Sequence, residues 1–99
     1  VAALEGLISI REGQIVSMAM SRSDQTQIVL FAIAAGELIS EEIYPGDTLY
    51  YVLSGGIQIR QDQEVLLVRA GEALAVCADI LHSLQALQDT KLLQITVNE

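Results

Sequence analysis

The stretch Tyr44-Pro45-Gly46-Asp47-Thr48-Leu49-Tyr50-Tyr51-Val52-Leu53-Ser54-Gly55-Gly56 reads as one strand held between two turns. Pro45-Gly46-Asp47 and Ser54-Gly55-Gly56 carry the residue types that tight turns demand, and the six residues between them are β-branched, aromatic or leucine. The same grammar continues outward on both sides. Strands are predicted at Gln14–Met20, Gln27–Ala34, Glu37–Ile43, Thr48–Leu53, Ile57–Arg60, Glu64–Arg69, Ala73–Val76, His82–Leu87 and Lys91–Val97. Turn signals separate them at Glu12-Gly13, Ser23-Asp24, Gly36, Gln61-Asp62, Gly71, Asp79 and Gln88-Asp89. Many short strands at this spacing indicate an all-β sandwich or barrel. Val, Ile and Thr together supply 23 of the 99 residues, a β-branched share that favours strand over helix.

Size and charge narrow the function classes. Ninety-nine residues make one domain, 1–99, with 14–97 as the barrel and 1–13 as an N-terminal arm or extra strand. Within that first segment Val1–Ile10 is compatible with a short helix. Thirteen acidic residues against five basic ones give a net charge of −8, which disfavours nucleic acid and anionic membrane as partners. No apolar run approaches the ~20 residues of a membrane span, and a cytoplasmic setting is expected. One cysteine excludes an internal disulfide, and one histidine excludes sites built on two or three histidines of one chain.

Strand faces follow from the two-residue period. In Glu37–Tyr44 one face carries Leu38, Ser40, Glu42 and Tyr44 and the other Glu37, Ile39, Glu41 and Ile43. In the next strand Thr48, Tyr50 and Val52 oppose Leu49, Tyr51 and Leu53. Neither strand has a cleanly polar side, and strands apolar on both faces need cover on both. A homodimer through the outer sheet face is therefore expected, with Ile39, Ile43 and Leu49 contributing. The alternative cover is the N-terminal segment, folded over the same face.

The glycine spacing is more specific. Gly36 is followed after five residues by Glu42-Ile43-Tyr44, after three more by Thr48 and after six more by Gly55. Fifteen residues on comes Gly71, then after five Cys77-Ala78-Asp79, after two His82 and after three Ala86. This pattern resembles the two cupin motifs, G-x5-HxH-x3/4-E-x6-G and G-x5-PxG-x2-H-x3-N, over about Ser17 to Val97. The resemblance implies a double-stranded β-helix, or jelly-roll barrel, with Gly36, Gly55 and Gly71 at turns that need positive φ or close backbone approach. Most close to the cupin 2 conserved barrel and RmlC-like types, it implies a divalent-metal site inside the barrel. Carried over position by position, that site falls on Glu42, Tyr44, Thr48 and His82, of which only His82 keeps its identity.

Glu42 and His82 are two firm donors where transition metals usually take three or four, and a Tyr44 phenolate must overcome a pKa near 10. The expectation is a degenerate site without a tightly bound metal, Glu42 and His82 being weak candidates for a divalent ion. Glu42, Tyr44, Thr48, Tyr50 and His82 are the candidate ligand-binding residues of the barrel pocket. Three functions remain open: a small-molecule-binding protein; an oxygenase- or isomerase-type enzyme, metal-dependent or using His82 and Glu42 as acid and base; and a structural or interaction dimer module. Alternatively, Glu42 and His82 form a salt-linked pair that fixes the barrel interior. Tyr51 and Cys77 are expected in the core. Gly55-Gly56 is no phosphate loop, since no helix start follows, and no serine has a nucleophile-elbow context.

Overall fold

The computed structural model describes residues 1–98. Nine strands form, β1 (Ile15–Arg22), β2 (Thr26–Ile33), β3 (Leu38–Glu42), β4 (Asp47–Ser54), β5 (Gly56–Gln61), β6 (Glu64–Arg69), β7 (Ala73–Val76), β8 (His82–Ala86) and β9 (Thr90–Val97). They match the predicted set to within about two residues at most ends. A five-stranded sheet, β1-β2-β9-β4-β7, faces a four-stranded sheet, β3-β8-β5-β6, and every pairing is antiparallel.

The core lies between the sheets. Ile33, Tyr50, Val52 and Leu92 meet Ile57, Ile59, Leu84 and Ala86 there, with Phe31 packed at the margin. Turn chemistry closes the barrel as expected. Gly55 has φ +86°, and a Cβ there would collide with the Asp89 carbonyl and the Thr90 side chain, so both conformation and space require glycine. Thr90 Oγ1 accepts from the Gly56 N–H at 3.1 Å and donates within the same turn region, which ties β9 to the β4–β5 turn.

The N-terminal segment adds no strand. Leu4–Leu7 form one turn of 3-10 helix, and Ile8 then buries itself on the outer side of the five-stranded sheet against Leu30 and Ala32. Lys91 Nζ holds this arm by donating to the Glu5 carbonyl at 2.6 Å. The arm covers one end of the outer face.

Three face assignments need correction. Ile39, expected to point outward, packs against the core, because a register irregularity between Ile39 and Glu42 breaks the alternation along β3. Tyr51, expected inside, is 37% exposed, since inward Tyr50 and Val52 on either side force it outward. Cys77 is exposed rather than buried, because Val76 is the last inward residue before β7 ends. Ile43 is exposed in the β3–β4 connection, and Leu49 lies outward on β4.

Candidate functional site

Inward alternation on β4 places Thr48 and Tyr50 in the barrel, and register with β9 sets Thr96 opposite Thr48 and Gln94 opposite Tyr50. On the other sheet, His82 begins the inward series of β8, opposite Glu42 of β3 on one side and Gln61 of β5 on the other. Tyr44 arrives from the β3–β4 connection, whose position is fixed by the Asp79 N–H donating to the Tyr44 carbonyl at 2.8 Å. Four of the predicted residues are thereby gathered, Glu42, Tyr44, Tyr50 and His82. Thr48 joins them only through β9.

His82 is 3% exposed, and both ring nitrogens are engaged. Nδ1 lies 2.9 Å from the Ile80 carbonyl, which can only accept, so Nδ1 carries the proton. In the neutral ring Nε2 therefore accepts, and the Tyr50 hydroxyl 2.7 Å away donates to it. Tyr50 and Tyr44 both flank the imidazole, with ring centroids 5.6 Å and 5.9 Å from it. The Gln94 amide makes a long contact, 3.5 Å, with Thr96 Oγ1, which lies 3.2 Å from Thr48 Oγ1.

Electrostatics keep both phenols protonated. Burial pushes Tyr44 above its usual value, the neighbouring Gln94 amide opposes this, and the Glu42 carboxylate adds to it. Burial raises Tyr50 strongly, with Tyr44 and Glu42 charge adding to the effect.

The family's metal can be tested against this donor set, and the residues do not fit one. The single imidazole lone pair is taken by Tyr50, Thr48 is paired with Thr96, and the Tyr44 phenol is held neutral. Among the described residues no group of three His, Cys, Asp or Glu side chains gathers where an ion could sit. The register puts Glu42 opposite His82, but the salt-linked Glu42–His82 pair that the sequence leaves as an alternative has no ring nitrogen left to use.

Three participants escaped the sequence reading. Gln94 and Thr96 look like the solvent side of β9, and only the observed register turns them inward. Gln61 follows Ile57 and Ile59 on the inward side of β5, and its Oε1 is buried without a hydrogen-bond partner. A pocket of about 290 Å³ opens against His82, lined also by Glu41, Arg60, Asp62, Leu81 and Ser83.

The paired antiparallel sheets and the polar cluster they enclose define a jelly-roll barrel of the double-stranded β-helix class. A cupin superfamily protein from Desulfitobacterium hafniense DCB-2 is 42% identical, covers 97% of this chain and 88% of its own, and superposes with a TM-score of 0.94. The chain belongs to the cupin superfamily. A conserved protein of unknown function from Streptococcus pyogenes is 28% identical over 100% of this chain and 87% of its own, with a TM-score of 0.96. A cupin 2 conserved barrel domain protein from Leptotrichia buccalis is 26% identical over 95% of this chain and 46% of its own, with a TM-score of 0.92. No protein-family model and no curated protein matches the chain. No helix among the described residues is long and apolar enough to cross a membrane.

Proposed function

We propose that this cupin is a metal-independent binding protein that takes a small molecule bearing hydroxyl or N–H donors at the barrel end formed by Glu42, Tyr44, Gln61 and His82. The observation that carries the reading is Gln61 Oε1, a buried acceptor with no partner. An unpaired buried acceptor costs about 1–3 kcal/mol, and a donor supplied by a ligand removes that cost. Glu42 offers a second acceptor, and the Tyr44 hydroxyl can give or take a hydrogen bond. A pocket of about 290 Å³ shares His82 with this cluster and is otherwise lined by Glu41, Arg60, Asp62, Leu81 and Ser83.

The reading assigns His82 a positioning role. With its lone pair held by Tyr50, the imidazole orients the aromatic wall instead of serving as a base, which disfavours acid–base catalysis through Glu42 and His82. The lone, unpaired Cys77 is compatible with a cytoplasmic setting.

The test is a thermal-shift and calorimetric screen of polyols, sugars and amines against protein purified without added metal, repeated after chelation. Binding by at least one compound, unchanged by chelation and lost in Gln61→Leu, is the expected result. Equal binding by Gln61→Leu, or a stoichiometric divalent ion whose removal lowers the melting temperature, overturns the reading.

A further inference from the structure

Resting on the binding reading above, we infer that the molecule taken at this barrel end is an organic cation, a short primary ammonium held between the Glu42 carboxylate and the Gln61 amide oxygen beside the tyrosine rings. Register sets the frame: Glu42 lies opposite His82 on one side and Gln61 on the other, so the three side chains enter the barrel from adjacent strands of one sheet. Strands lie ~4.8 Å apart, which puts the Glu42 and Gln61 backbones roughly 10 Å from each other. Side chains of this length can bring both oxygens onto one nitrogen at ~2.8 Å.

The hydrogen bonds already made leave acceptors over. His82 Nδ1 donates to the Ile80 carbonyl, the Tyr50 hydroxyl donates to His82 Nε2, and Gln94 Nε2 makes its long contact with Thr96. Gln61 Oε1 remains buried without a donor, and the Glu42 carboxylate has acceptor capacity only. A ligand carboxylate or phosphate brings further acceptors and a like charge, so anions do not suit the cluster. An ammonium has three donors and no acceptor, the complement of this set.

Charge separates an ammonium from a neutral hydroxyl. The Glu42 carboxylate is close enough to both phenols to oppose their ionisation, so its negative field reaches across the cluster. Glu64 stands beside Gln61 at the exposed rim of the same sheet. The pocket that shares His82 adds Glu41 and Asp62, with Arg60 the one basic residue among its lining. Arg60 follows the inward Ile59 and points away from the barrel interior, where it is exposed. Tyr44 and Tyr50, with ring centroids 5.9 Å and 5.6 Å from the imidazole, add aromatic faces, which attract cations. The net charge of −8 draws cations to the chain as a whole.

Titration of the isotope-labelled chain with three probes of one shape, n-butylammonium, 1-butanol and butyrate, followed by amide NMR at two ionic strengths, tests this. n-Butylammonium is expected to shift the signals of Glu42, Tyr44, Gln61 and His82, to bind at least about tenfold more tightly than 1-butanol or butyrate, and to weaken as salt rises. Glu42→Gln keeps the shape and removes the charge; it should lower the ammonium affinity about ten- to hundredfold and leave 1-butanol unchanged, its own spectrum verifying the fold. Ammonium affinity unaltered in Glu42→Gln overturns the inference. So does 1-butanol or butyrate binding as tightly as the ammonium; in the case of 1-butanol the donor-binding site itself still stands. Unmoved signals at all four residues with every probe overturn the site and the cation together.

Discussion

Replacing Tyr50 by Phe removes one hydroxyl and keeps the ring, so it isolates the bond to His82 Nε2. The imidazole is 3% exposed, and no water can readily replace the lost donor. Leaving a buried acceptor unpaired costs about 1–3 kcal/mol, whereas the packing of the ring is unchanged. A loss near ~2 kcal/mol lowers the melting temperature of a domain this size by roughly 8–16 °C. His82→Leu strands two groups, the Tyr50 hydroxyl and the Ile80 carbonyl, and should cost more than Tyr50→Phe. The double variant strands only the Ile80 carbonyl, so its cost should fall about 1–2 kcal/mol below the sum of the singles. Urea unfolding of all four proteins measures this coupling. Additive losses, or a Tyr50→Phe protein within about 0.3 kcal/mol of wild type, would refute the assigned hydrogen bond and the tautomer derived from it.

Two further predictions follow from the turns and the phenols. Gly55→Ala should destabilise by more than ~2 kcal/mol, because positive φ and collision with Asp89 act together, whereas Gly71→Ala, with φ +84° but open space, should cost about 1 kcal/mol; chemical denaturation of the pair separates the two effects. Stability should also fall as pH rises above about 10: unfolded Tyr50 ionises near 10.0 while the folded phenol holds its proton, so the unfolded state binds fewer protons there, at about 1.4 kcal/mol per pH unit. Tyr50→Phe should flatten this alkaline slope in pH-dependent melting curves, and an unaltered slope would assign it to other groups.

The turns were legible in the sequence because each is enforced by residues that have few other uses. Pro45-Gly46-Asp47, Ser54-Gly55-Gly56 and Gly71 bound strands whose limits the structure reproduces closely. The faces were less legible, since a strict period of two assumes an unbroken ladder. The irregularity in β3 carries Ile39 and Glu42 to the same side although three positions separate them, and no side-chain pattern in Leu38–Glu42 announces it. The site was half legible for a related reason. Spacing located His82, Tyr44 and Glu42, but Gln94, Thr96 and Gln61 belong to it through cross-strand register, which a single strand's sequence does not encode.

Strand β9 joins these points. Taken alone, Gln94 and Thr96 belong in water and Leu93, Ile95 and Val97 belong in a core. The structure reverses both placements, and each reversal has its own cause. Inside, the polar pair is stabilised by what surrounds it: Gln94 Nε2 reaches Thr96 Oγ1, and Thr96 meets Thr48, so a polar barrel interior is maintained by neutral hydrogen-bonding groups where a cupin metal would need free lone pairs. Outside, nothing within the chain beyond the short arm compensates the apolar row. The polar side of the strand is satisfied inward, and its outward apolar row is covered in part, Leu93 packing beside Ile8 where the arm lies and Val97 remaining exposed.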